Sequence, residues 1–449
     1  MDISALFSAF GGTAWTLFFF VVALSVIVAI HEYGHYIVGR WSGIQADVFS
    51  VGFGPVLWSR MDKRGTRWQI AALPFGGYVK FAGDANAASG KDEAAMQEAQ
   101  ADPVALRRTM HGAPLWARAA TVAAGPVFNF ALSIVVFSLV VFFTGVPRDP
   151  LTVGDLQPLP GGSLELQSGD VILEIAGAKV PSISGPEFAD FLQSIPETPT
   201  LQYKVERGGQ TMTVEGPYYF PPVVGQVHSR SAGLAAGFEV GDVITAINGD
   251  PVFRFGQLPE IIENSDGAPV TLDVWRDGQM LEFELAAKQV DEANDEGGFS
   301  KKWRIGLGSD TAFDLGLEAP PASFAIQRGY QQTVEIITGS LNALRYLATG
   351  RISTCNLSGP IGIAQVAGST AKAGLDQFIW FIAVLSTAVG LLNLFPIPAL
   401  DGGHLVFYAY EAVTGKPPSD SALRVLMAVG LALVLSLMVF ALGNDLFCP

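Results

Sequence analysis

Four apolar runs punctuate the chain, and each is long enough to cross a bilayer as a helix, which takes about 20 residues. They extend from Thr13 to Val38, Ala117 to Phe143, Phe378 to Phe395 and Leu423 to Leu442. With their flanks they predict membrane-spanning segments over 1–40, 117–144, 376–402 and 423–443. Asp2 is the only charged residue before the first run, which lacks the basic region of a signal peptide and so reads as a retained span. Between the first two spans, over 41–116, the pattern changes to strand-like stretches at Val48–Pro55, Trp68–Pro74 and Gly76–Phe81. Apolar strands beside two spans predict a β element that dips into the bilayer interface, with its backbone paired or facing a water-filled cavity. Asp84–Asp102 is rich in Ala, Gly, Asp and Glu and reads as a mobile surface loop. Over 319–350 the pattern is that of an amphipathic helix, with Tyr330, Val334, Ile337, Leu341 and Leu344 on one face. That face suits the outer membrane surface, a cover over the spans, or simple core packing.

Composition agrees with a polytopic α-helical membrane protein carrying sizeable soluble parts: 449 residues, 49% hydrophobic and 15% charged, with mean hydropathy +0.36. A net charge of −15 without a basic stripe excludes nucleic acid as a partner. Cys355 and Cys448 are too few for a cysteine-rich metal site, and their pairing is not legible from sequence. Lysine and arginine set the orientation. The first inter-span loop carries basic residues from Arg40 to Arg108, and Lys416 and Arg424 lie between the last two spans. Both loops are therefore expected in the cytoplasm, with 145–376 and both termini outside.

The chemistry begins at the inner end of the first span, with His31-Glu32-Tyr33-Gly34-His35. Positions four apart share a helix face, so His31 and His35 can offer two imidazoles to one metal ion. Glu32 is placed to take a proton from water that such a metal activates. Ionisable groups at membrane depth cost roughly 3 kcal/mol or more each and mark function. A catalytic zinc takes three protein ligands and leaves a position for water, so one ligand is still missing. Leu391–His404 (LLNLFPIPALDGGH) offers both Asp401 and His404 where the third span meets the cytoplasm, and its prolines let backbone line a cavity. His111 lies in a loop, and His228 falls on the outer side by the charge rule. In the second span Gly125-Pro126 suits close helix contact, whereas Asn129 suits either packing or chemistry.

The outer segment repeats itself. Gly169–Gly177 (GDVILEIAG) recurs as Gly241–Gly249 (GDVITAING), and Lys204–Gln210 is echoed by Val274–Gln279. Two copies over 150–218 and 221–290 resemble tandem bacterial PDZ domains, α+β modules that add a peptide strand in a groove. The second copy is the clearer, through Ser231–Phe238; Leu159–Ser163 in the first departs from that lead-in.

Together, HEYGH in the first span, GFGP and PFGGYVK after it, the repeat, LSGPIGI at Leu357–Ile363 and NLFPIPALDGGH resemble the site-2 protease family of intramembrane zinc proteases. The resemblance covers nearly the whole chain. It implies Zn2+ held by His31, His35 and Asp401, with Glu32 activating water, and so ranks Asp401 above His404. It implies that Asn393 and the strand Gly76, Gly77, Tyr78, Val79, Lys80 and Phe81 hold the substrate extended. It further implies a multi-pass protein of the bacterial inner membrane, with the PDZ pair and termini in the periplasm. Its substrates would be single-pass membrane proteins of the anti-sigma-factor type and remnant signal peptides. Two rival readings are an inactive PDZ scaffold and a metal transporter. The complete HEYGH with Asp401 weighs against the first, and the lack of a second polar site along a path weighs against the second.

Overall fold

The first apolar run forms one unbroken helix, α1 (Ile3–Trp41), in a computed structural model that describes residues 3–85, 90–162, 164–228, 231–293 and 299–448. Residues 86–89 of the expected mobile loop, and Ser163 of the first repeat's lead-in, lie outside the described residues. After α1 come two long antiparallel strands, β1 (Ala46–Met61) and β2 (Arg67–Phe81); the second absorbs both Trp68–Pro74 and Gly76–Phe81. Asp62 closes their turn by accepting from the N–H groups of Arg64 and Thr66 at 2.8 and 2.9 Å. Near the base, Val48–Val51 pair on one side with Arg67–Ile70 and on the other with Gly77–Lys80, which leaves the latter as an edge. Toward the tip Phe53, Leu57, Trp58 and Leu73 are exposed. The expected mobile loop is partly helical: α2 (Glu93–Ala99) and α3 (Pro103–Arg107) are capped by Asp92 and Asp102. Each cap carboxylate satisfies N–H groups that a short helix leaves orphaned, a local signal that outweighs polar composition. The second apolar run is α4 (Leu115–Thr144), with Pro126 inside it. It lies so close to α1 that a Cβ on Gly34 would sit 2.6 Å from the Ala124 carbonyl oxygen.

A second unit, formed mainly by 142–321, follows. It opens with β3 (Val146–Pro147) and β4 (Val153–Leu156). The first repeat copy supplies β5 (Val171–Ile175), β6 (Ala178–Lys179), α5 (Glu187–Ser194), β7 (Thr200–Arg207) and β8 (Gln210–Pro217). After β9 (Val224–Val227) the second supplies α6 (Ala232–Ala236), β10 (Val243–Ile247), β11 (Asp250–Pro251), α7 (Gln257–Asn264), β12 (Pro269–Arg276) and β13 (Gln279–Ala286). The sheet orders correspond, β6-β5-β7-β8 and β11-β10-β12-β13, so the repeat is one of topology as well as sequence. Both copies bury the aspartate of the Gly-Asp motif under a two-bonded arginine: Asp170 with Arg207 and Asp242 with Arg276, each at 2.6 and 2.7 Å. A hairpin of β14 (Lys288–Ala293) and β15 (Phe299–Arg304) leads into β16 (Leu307–Ser309), β17 (Phe313–Leu315) and β18 (Leu317–Glu318). These three pair back with β9, β4 and β3 in turn. The unit therefore extends beyond the two ranges 150–218 and 221–290, because its closing strands come from 307–318.

The chain then rejoins the first unit through α8 (Ala322–Ala348). Its buried residues are Ala325, Gly329 and Thr333, and a Cβ on Gly329 would strike Ser138 and the Ile134 carbonyl of α4. The predicted apolar face is not the packing face, since Tyr330, Val334 and Leu341 are exposed. Small residues allow closer helix approach than large ones, so the small stripe takes the contact. A 3-10 turn at Thr354–Asn356 precedes α9 (Pro360–Ala373), α10 (Leu375–Asn393), α11 (Asp401–Thr414) and α12 (Asp420–Phe447). Cys355 and Cys448 form a disulfide. Beside it Asp445 accepts from the N–H groups of Gly359, Ile361 and Gly362, capping α9 within the LSGPIGI motif. Helices α1, α4, α10 and α12 are long and apolar enough to cross a membrane.

Candidate metal centre

Helix α1 places His31 and His35 one turn apart, with their rings edge to face at 4.7 Å. The segment 394–400 leaves the helical path at Pro396 and Pro398, and α11 starts at Asp401. Gly402 and Gly403 let α11 begin against the carbonyls of Leu394, Phe395 and Ile397, where a Cβ would not fit. The aspartate is thereby turned toward the two imidazoles. His31 Nε2 and His35 Nε2 lie 3.1 Å apart, and Asp401 Oδ2 lies 3.2 and 3.5 Å from them. Among the described residues, this is the one group of three ligand-type atoms close enough to share an ion.

Helix α4 forms the wall behind this group. His35 Nδ1 lies 2.8 Å from the Thr121 carbonyl oxygen. A carbonyl only accepts, so Nδ1 carries the proton and Nε2 offers a lone pair. Asp401 Oδ2 is buried without a hydrogen-bond donor. Electron-rich atoms packed this way repel one another unless a cation sits among them. A tetrahedral zinc with bonds of about 2.0–2.1 Å spaces its ligand atoms by about 3.3–3.4 Å, and the observed separations bracket that value. The two nitrogens and one carboxylate thus fit zinc and leave its fourth position open.

Gly125 of α4 makes the packing possible: a Cβ there would lie 2.4 Å from His35 Nε2 and 2.7 Å from His31 Cε1. Its role is to seat the imidazoles, beyond the helix contact expected from sequence. Asn129, fully buried, places its amide 3.2 Å from His31 Nδ1. Arg118 ties α11 to α4 through two bonds to Glu411, at 2.6 and 3.0 Å, with its guanidinium 5.2 Å from the Tyr408 ring centre. Neither this clamp nor the Thr121 carbonyl had a sequence signal, since each depends on which helices meet.

The three residues and Glu32 line a cavity of about 240 Å3 together with Gly77, Tyr78, Val79, Asn393 and His404. Gly76 and Lys80 do not line it. The Val79 N–H faces the Glu32 carboxylate, and Gly77, Val79 and Glu32 line the cavity together, so the edge of β2 borders that group. Asn393 donates from Nδ2 to the Val389 carbonyl at 3.1 Å. His404 borders the cavity outside the three-atom group, and His111 instead faces Asp84, 3.2 Å away. His228 lies in the second unit.

The sequence model of peptidase family M50 matches residues 19–437. A protein of Agrobacterium fabrum, provisionally named a zinc metalloprotease, is 35% identical over 429 residues, covering 95% of this chain and 94% of its own. The Regulator of sigma E protease of Salmonella typhi is 32% identical over 466 residues, covering 96% of this chain and 98% of its own.

Proposed function

The chain belongs to peptidase family M50, the site-2 proteases, and is a zinc metalloprotease; from that premise we propose that it hydrolyses a peptide bond within a spanning segment of a single-pass membrane protein. The observation that carries this reading is the convergence of His31, His35 and Asp401 at the inner end of an apolar helix, with Glu32 on the same cavity. His31 and His35 through Nε2, and Asp401 through Oδ2, would hold the zinc. When bound, zinc supplies a Lewis acid that polarises the scissile carbonyl and makes water acidic enough to lose a proton near neutrality. Glu32 takes that proton and passes it to the departing amine. A helical substrate hides its carbonyls in its own hydrogen bonds, so it must unwind to be cut. The edge of β2 at Gly77–Val79 offers strand pairing that would hold it extended, and the Asn393 amide, redirected from Val389, would bind its backbone.

Relatives named regulator of sigma E protease support a regulatory protease, and the substrates implied by the family resemblance are membrane proteins of the anti-sigma-factor type, with remnant signal peptides as a second class. The bias of basic residues toward the loops that flank HEYGH and Asp401 supports an inner-membrane orientation with the Asp401 end of the spans toward the cytoplasm and 142–321 toward the periplasm. The Cys355–Cys448 disulfide supports that orientation, since disulfides persist on the oxidising side. The repeated sheets of the second unit read as two PDZ-type domains that restrict which substrates reach the spans. The exposed tip of the β1–β2 hairpin reads as inserted in the bilayer interface. The test is cleavage by purified protein in detergent or vesicles. Glu32→Gln should abolish hydrolysis while zinc stays stoichiometric, and residual cutting by that variant would overturn the assignment.

A further inference from the structure

We propose that Asn129 is a positioning residue for the zinc site, presenting its amide oxygen to His31 Nδ1–H and so fixing the ring that offers Nε2 to the metal. This rests on the reading above that His31 is a ligand. A neutral imidazole that binds a cation through one nitrogen carries its proton on the other. The Nδ1 of His31 is therefore a donor in the loaded site, and it needs an acceptor.

The group facing it is the Asn129 amide, with Nδ2 at 3.2 Å and Oδ1 buried with no partner. Two N–H groups cannot bond to each other. The two ends of an amide are interchangeable by rotation, and the surrounding hydrogen bonds decide which way it points. Rotation puts the oxygen on His31 and leaves one amide end unpartnered, the same number as before. The protonated Nδ1 therefore settles the orientation, oxygen inward. Asn129 is well held for this task. Its backbone carbonyl accepts from Ser133 and Ser386, each at 3.0 Å, and Gly390 packs against its Cβ. His35 receives the equivalent support from the Thr121 carbonyl, so α4 orients both rings: one by backbone, one by side chain.

The discriminating variants are Asn129→Asp, an acceptor without a donor, and Asn129→Leu, similar in size with neither. The readout is the zinc dissociation constant, from chelator competition on the purified full-length protein. The visible spectrum of the cobalt(II)-substituted form serves as a second measure. Asn129→Leu should weaken zinc by about 10–100-fold, the usual loss when a ligand's supporting partner is removed, while Asn129→Asp stays within about threefold. If Leu disrupts the fold, Asn129→Ala takes its place in the comparison. Leu or Ala binding zinc within about threefold of wild type would overturn the proposal, as would Asp binding as weakly as Leu. His31→Ala is measured alongside. If it keeps zinc, the ligand assignment itself fails. If it loses zinc while Asn129→Leu does not, only the role of Asn129 fails.

Discussion

At Gly125 a single methyl group would occupy the space now taken by two imidazoles. Alanine is the better helix former by about 1 kcal/mol, so Gly125→Ala should not weaken α4 itself. It should instead push His31 and His35 off their common point. Overpacking of this kind costs about 1–3 kcal/mol of stability, so thermal stability should fall modestly and, with the imidazoles displaced, zinc affinity should fall by about 10-fold or more. Zinc titration of the variant checks this, and unaltered affinity would mean that α1 and α4 move apart freely. Asp401→Ala should lose zinc and activity together, whereas His404→Ala should keep most of its zinc, because only Asp401 has an oxygen within 3.5 Å of both histidine nitrogens. Metal analysis of the two variants decides it. Sequence alone made part of this legible. The two histidines announce themselves by their spacing of four, but choosing Asp401 over His404 required a family resemblance. What α4 contributes, through Thr121, Gly125 and Asn129, could not be read, because contacts between residues 86 to 98 positions apart depend on how two helices meet.

Secondary elements were legible in proportion to their length. A span of 20 or so apolar residues is unmistakable, and the paired Gly-Asp motifs exposed the repeat. Short helices such as α2, α3 and the one that Asp401 begins carry little periodicity and read in the sequence as loop or span end, while α9 falls in a stretch the sequence leaves unassigned. At this scale the edge of β2 can be tested. Val79→Pro removes the N–H that faces Glu32 and the strand geometry a docked substrate needs, so cleavage should fall far below that of Val79→Ala with zinc retained. Equal activities would eliminate strand pairing from the mechanism. The repeat makes a second prediction. Burial alone would raise the Asp170 carboxyl, but the Arg207 guanidinium and the Gln167 N–H hold it below its ordinary value. A lowered carboxyl stabilises the fold above the unfolded value, about 4, and that contribution fades as pH falls through the lower, folded one. Hydrogen exchange in the β5–β7–β8 sheet, corrected for intrinsic rates, should therefore report faster opening as the solution is acidified below about 4. Arg207→Met should speed opening near neutrality and flatten that dependence.

For the whole molecule, the strands closing the second unit matter most. Since β18 returns to pair with β3, that unit's entry and exit lie side by side, with Leu317 against Pro147 and Glu318 against Val146. Removing 146–318 and bridging Gly145 to Ala319 with a short flexible linker should leave the first unit folded, with its zinc and its Glu32-dependent cleavage. If the second unit acts as a filter, as proposed, the shortened protein should also cut substrates whose soluble domains are intact. Loss of cleavage of already trimmed substrates, with zinc retained, would make that unit a recruiter instead. Deleting only 150–290 would strand β16 and β17 without their partners, a boundary that repeat matching missed because the returning strands carry no repeat signal. The disulfide has a different consequence. Joining positions 93 apart, it closes a covalent ring that contains α9, α10, the Asp401 helix and α12, while His31 and His35 stay on the open part of the chain. A cut introduced at the exposed turn between α11 and α12, around Lys416, would open that ring without dividing the molecule. The nicked protein should run as a single band until it is reduced and as two afterwards.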